Sequence, residues 1–91
     1  MKIKAVIVDD EQVARDVLEN YLTKYCPVVE LLGKAQHIKE AVPMIQELQP
    51  QLVFLDVEMP YGNAFDVLEA CSGQQFETIF VTAYSEYSIK A

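Results

Sequence analysis

Leu52–Pro60 reads LVFLDVEMP, four consecutive apolar residues stopped by Asp56 and followed within four positions by Met59-Pro60. An unbroken apolar run of that length suits a strand buried on both faces, as in the middle of a parallel sheet. Met59-Pro60-Tyr61-Gly62-Asn63 supplies loop chemistry directly beyond it. The same design recurs upstream, where Ile3–Val8 (IKAVIV) stops at Asp9-Asp10. It recurs downstream in Thr78–Val81 (TIFV), which stops at Thr82-Ala83.

The segments between these runs have helical spacing. Val13, Ala14, Val17, Leu18, Tyr21 and Leu22 predict an amphipathic helix from Glu11 to Tyr25, capped by Asp9 or Asp10, acidic in its first turn at Glu11, and ended before Pro27. Val28–Ala35 predicts a second strand interrupted by Gly33. Ile38, Ala41, Val42, Ile45 and Leu48 predict a second helix, with Pro43 expected to kink it and Gln49-Pro50 to end it. A short helix over Ala64–Cys71 is expected to close on a glycine stop at Ser72-Gly73, and Tyr84–Ala91 reads as a turn and the opening of another helix. The order β-α-β-α-β-α-β predicts an α/β fold of three layers, a doubly wound parallel sheet with helices on both faces. In such folds the ligand site lies outside the carboxyl ends of the strands.

Composition narrows the function. Hydrophobic residues at 52% and charged residues at 23% describe a chain that packs a core, and 91 residues leave room for one domain. A formal charge of −7 argues against direct nucleic-acid binding by this segment. Met1-Lys2-Ile3-Lys4 leads straight into a strand without a cleavage-site pattern, and no apolar run is long enough to span a bilayer, so no membrane association is expected and the expected compartment is the cytoplasm. Cys26 and Cys71 have no CxxC spacing and are expected to be free thiols.

A parallel sheet would bring Asp9, Asp10, Asp56 and Thr82 to one edge. Carboxylates held together repel one another unless a hard cation neutralises them, and Mg²⁺ favours a few carboxylates with retained waters and a phosphate oxygen. A carboxylate beside such an ion can accept a phosphoryl group. Asp56 is the best placed nucleophile, Asp9 and Asp10 suit the metal, and the Thr82 hydroxyl can bond a phosphoryl oxygen. Each residue also has a plain reading: Asp9 and Asp10 as helix caps, Asp56 as a turn former, Thr82 as a strand former and Glu58 as a solvated side chain. His37, the single histidine, is expected to cap a helix or lie exposed. Tyr84 and Tyr87 suit either packing or a partner-facing surface.

VDDE at 8–11, LDVEMP at 55–60 and VTAY at 81–84 together resemble the receiver domain of two-component response regulators. The EMP and TAYSEYSIKA stretches are most similar to the subgroup with a LytTR-type (LytR/AlgR) DNA-binding domain. The resemblance implies a flavodoxin-like (CheY-like) fold, with strand order 2-1-3-4 for the strands present. It implies that Asp56 is the phosphoacceptor, Asp9 and Asp10 the acidic pair, Thr82 the switch and Ala83 a backbone contact to the phosphoryl group. Mg²⁺ would be held by the Asp10 and Asp56 side chains and the Glu58 backbone carbonyl, with Asp9 acting indirectly. The implied partners are a sensor histidine kinase, and DNA through a C-terminal output domain beyond these residues.

Residues 1–91 are thus expected to be one receiver domain, truncated ahead of the family's fifth strand, that strand's terminal lysine and the last helix. Lys90 lies in another element and is not assigned the lysine's role. Ala64 stands where the family usually has glycine, with Gly62 nearby. The expected activity is signalling by phosphoryl acceptance and not that of an enzyme. One alternative is a degenerate receiver acting as an interaction module. Another is an Asp-nucleophile phosphatase, since Asp56-Val57-Glu58 resembles the haloacid-dehalogenase pair; Pro60 stands where that family has a hydroxyl residue. An apolar fourth strand at the sheet edge (Ile79, Phe80, Val81) predicts self-association.

Overall fold

A computed structural model describes residues 2–56, 58–59 and 62–81. The elements follow in the order β1 (Ile3–Val8), α1 (Gln12–Tyr25), β2 (Val29–Ala35), α2 (Ile38–Leu48), β3 (Leu52–Asp56), β4 (Glu58–Met59), β5 (Gly62–Asn63), α3 (Ala64–Ala70) and β6 (Glu77–Val81). Four strands form one parallel sheet in the order β2-β1-β3-β6, the expected 2-1-3-4 arrangement. Within the segment expected as loop over 59–63, two short strands pair antiparallel, with Glu58 opposite Asn63 and Met59 opposite Gly62.

The nearly continuous apolar runs become the two central strands because only there are both faces covered. Val6, Val8, Val53 and Leu55 are fully buried with Ala35, Ala41, Ile45, Val67 and Cys71 on the face of α2 and α3. Ala5, Ile7 and Phe54 pack with Leu22 on the face of α1. At roughly 1.5–3 kcal/mol per large aliphatic side chain buried, this two-faced core is the main favourable term in folding.

Gly33 marks a close approach rather than a break. The β1–β2 register jumps from Ala5↔Leu31 to Val6↔Gly33, leaving Leu32 as the extra residue of a bulge. A side-chain carbon at Gly33 would meet the Met44 sulfur of α2 at 3.0 Å, so glycine lets α2 lie close on β2.

Several local expectations are revised. Glu11 is the N-cap of α1 rather than a first-turn residue, and its side chain makes no capping bond. Asp9 does not cap α1 either; its Oδ1 accepts the Glu11 N–H at 3.0 Å, closing a two-residue Asx turn ahead of the helix. His37 caps α2 as anticipated, its Nδ1 accepting the Glu40 N–H at 3.3 Å. Pro43 does lie inside α2, where it removes one helical donor.

The left-handed residue that ends α2 is Gln49 (φ 50°), not a glycine. At the end of α3 the expected glycine stop is absent, because Gly73 is not left-handed. The chain unwinds there through Ser72 N–H to Glu69 O and Gln74 N–H to Cys71 O.

The apolar face of α1 is wider than the surface that covers it. Leu18 and Leu22 face the sheet, whereas Val13, Val17, Tyr21 and Tyr25 recur every fourth residue and remain 56–72% exposed. Lys34 of β2 reaches Glu19 at 2.6 Å and Asp16 at 3.5 Å, which fixes the β2 side of the helix. At 100° per residue the exposed stripe lies on the opposite flank, toward β3 and β6. Ile79 and Phe80 of β6 are each 46% exposed.

Candidate functional site

The parallel registers assemble the acidic cluster. Val8 pairs with Leu55 across β1 and β3, so the next step places Asp9 at the end of β1 beside Asp56, the last residue of β3. Asp10 follows at the start of the β1–α1 turn. One carboxylate oxygen from each of Asp9, Asp10 and Asp56 lies within 4.8 Å of the others. The sequence expectation that these three residues meet is therefore met in space.

The three carboxylates are not equivalent. Asp9 is buried, at 7% exposure, while Asp10 and Asp56 are half-buried. Burial raises the Asp9 pKa above the usual carboxylate value; the Glu11 N–H lowers it, the Asp10 and Glu11 charges raise it, and Arg15 lowers it. The net rise shows that its surroundings do not fully compensate the anion.

This donor set suits a hard divalent cation. Around Mg²⁺, with oxygen ligands at about 2.0–2.1 Å, opposite ligands stand roughly 4.2 Å apart. Three carboxylate oxygens that all lie within 4.8 Å of one another are near that spacing. The backbone of Glu58, the other expected ligand, lies two residues beyond Asp56 in β4.

Asp56 pairs with Val81, the last residue of β6. Thr82 and Ala83, assigned from the sequence as switch and backbone phosphoryl contact, lie outside the described residues, as do Tyr84, Tyr87 and Lys90.

Sequence reasoning missed one residue that bears on the cluster. Arg15, on the second turn of α1, donates from Nη1 to the Asp9 carbonyl oxygen at 2.7 Å. The sequence hint was a basic side chain six positions after Asp9, near the start of the helix.

The pattern described as the response regulator receiver domain matches residues 5–91. The chain belongs to that family. Among related proteins, this receiver is 39% identical over 90 residues to an uncharacterized response regulatory protein of Yersinia pestis, covering 98% of this chain and 37% of that protein. It is 32% identical over 91 residues to the sensory transduction protein LytT of Bacillus cereus, with 98% and 37% covered. With the transcriptional regulatory protein BtsR of Escherichia coli it shares 33% over 90 residues, again covering 98% and 37%.

The receiver thus spans little more than a third of these relatives. Its fold matches the response regulator domain of CheB from Thermotoga maritima with a TM-score of 0.82 at 28% identity, over 91% of this chain and 62% of that one. Receivers of this family are signalling domains of two-component systems, with homologues among transcriptional regulators. They bind Mg²⁺ at an acidic pocket, and this receiver carries the corresponding aspartate cluster.

Proposed function

We propose that residues 1–91 form a phosphoacceptor receiver domain in which Asp56 takes a phosphoryl group from the phosphohistidine of a sensor histidine kinase. The observation that carries this reading is the meeting of three carboxylates from two adjacent strand ends, one of them buried at an electrostatic cost. A buried, repulsive acidic group is retained against stability when it serves a site.

In the proposed reaction an Asp56 carboxylate oxygen attacks phosphorus. The phosphorus–nitrogen bond breaks with its electron pair passing to the imidazole, and an acyl phosphate remains on Asp56. Asp10, Asp56 and the Glu58 carbonyl would hold Mg²⁺, with Asp9 acting indirectly, and the bound ion would offset the repulsion between carboxylate and phosphoryl group. Thr82 and Ala83 then contact the phosphoryl oxygens and favour one of two conformations. The receiver acts in the cytoplasm as a switch and not as an enzyme turning over an external substrate. The length by which its relatives exceed it is assigned to a DNA-binding output domain, of LytTR type as the sequence resemblance implies.

The test is labelling by a small phosphodonor, acetyl phosphate, with Mg²⁺ present. The wild-type chain is expected to form an acid-stable, hydroxylamine-labile adduct, and Asp56→Asn to form none. Undiminished labelling of Asp56→Asn would overturn the assignment.

A further inference from the structure

Asp9 is fixed at three points. Its N–H donates to the Ala35 carbonyl of β2 at 3.0 Å, its carboxylate accepts the Glu11 N–H at 3.0 Å, and its carbonyl accepts from the Arg15 guanidinium at 2.7 Å. The first two hold the strand end and the Asx turn. The third acts elsewhere, because the Asp9 carbonyl and the Asp10 N–H belong to one planar peptide unit. Holding that oxygen sets the orientation of the unit, and with it the direction in which the Asp10 Cα carries its carboxylate.

Arg15 is anchored at the other end, its backbone N–H donating to Glu11 O at 3.1 Å at the start of α1. The contact is charge-assisted and part-buried, the setting in which one hydrogen bond constrains geometry most.

We propose that Arg15 is a positioning residue for the metal site: by clamping the Asp9–Asp10 peptide it holds the Asp10 carboxylate in the orientation that binds a divalent cation. The inference rests on the reading of Asp9, Asp10 and Asp56 as that cation's site. Its sign is opposite to what charge alone dictates. A guanidinium beside the cluster repels an incoming cation, so a purely Coulombic role means that removing Arg15 tightens Mg²⁺ binding. A positioning role means that removal weakens it, and loss of a partner that orients a metal ligand costs roughly 10- to 100-fold in affinity.

The experiment is calorimetric titration of the 91-residue chain with MgCl₂, alongside thermal melts with and without Mg²⁺, for wild type, Arg15→Met and Arg15→Gln. Both variants are expected to fold, since Arg15 is half-buried at the helix surface. They are expected to bind Mg²⁺ at least about tenfold more weakly and to show a smaller Mg²⁺-induced rise in Tm. An Arg15 that only stabilises the fold would lower both melting temperatures equally and leave the affinity unchanged, which overturns the proposal. Tighter binding overturns it in favour of simple charge repulsion. A wild-type chain that binds no Mg²⁺ overturns the site reading itself and this inference with it.

Discussion

Asp9→Asn should make the metal-free receiver more stable and less able to use Mg²⁺. Asparagine has the same shape and keeps Oδ1 as an acceptor for the Glu11 N–H, so the Asx turn survives while the charge is lost. The carboxylate oxygens of Asp9, Asp10 and Asp56 approach within 4.8 Å. At that separation one pair of unit charges repels by about 1 kcal/mol with water-like screening and about 3.5 kcal/mol at an effective dielectric of 20. Neutralising Asp9 removes its desolvation penalty and its repulsion by neighbouring carboxylates, against a weaker bond from the Glu11 N–H and the lost attraction to Arg15.

Those losses offset much of the gain, leaving a net stabilisation on the order of 1 kcal/mol, a rise in Tm of roughly 4–8 °C for a domain of this size. The pH dependence has a definite sign. Because the folded pKa lies above the ordinary carboxylate value of 3.8, the native state binds more protons than the unfolded state between those two values. The Asp9 contribution to stability therefore falls as pH rises through that window, and its full cost is present above the raised pKa. The Tm difference between variant and wild type should be greatest at neutral pH and vanish once the pH lies well below 3.8.

Saturating Mg²⁺ reverses the ranking. A hundredfold excess over Kd adds about 2.7 kcal/mol to a domain that binds only when folded, and the variant should gain much less. Scanning calorimetry across pH with and without Mg²⁺ reads all three effects. A metal-free variant that melts at or below the wild type, or equal Mg²⁺ gains in both, refutes the electrostatic account of the cluster.

Other outcomes follow from the same structure. Ile45 is fully buried between α2 and the sheet, so Ile45→Ala should cost about 2–5 kcal/mol and leave much of a domain this small unfolded at 37 °C by circular dichroism. Gln49 holds a left-handed conformation at φ 50°, so Gln49→Gly should raise stability by about 0.5–1 kcal/mol in urea titration, and a loss would mean that its side chain matters more than its backbone. Among the described residues β6 pairs with β3 alone, and Ile79 and Phe80 are each 46% exposed. Light scattering at high concentration should therefore show mass above the monomer, reduced by Ile79→Lys, whereas a strict monomer would refute pairing through that edge.

What could be read from the sequence is what depends on residue type along one segment. Central parallel strands are covered on both faces, so Ile3–Val8 and Leu52–Leu55 show as nearly continuous apolar runs and their polar stops mark the functional edge. Once two such runs pair in parallel, Asp9 and Asp56 must meet, with no long-range information needed. Features that depend on backbone conformation or coverage escaped. Nothing in Gln49 announces a left-handed residue, and Gly73, which looks like a helix stop, is not one.

Arg15 is the most consequential case. A side chain reaching a backbone carbonyl six residues earlier has no periodic signature, because any long donor on that turn of α1 looks the same in sequence. The exposed stripe on α1 makes the complementary point. Spacing places Val13, Val17 and Tyr21 with Leu18 and Leu22 on one broad apolar arc, but the sheet covers only the part over Ala5, Ile7 and Phe54. Periodicity reports how wide an apolar face is, whereas burial depends on what lies across from it. A helix whose arc exceeds its cover therefore carries information about surfaces beyond its own sheet, and α1 holds that excess on the flank facing β3 and β6.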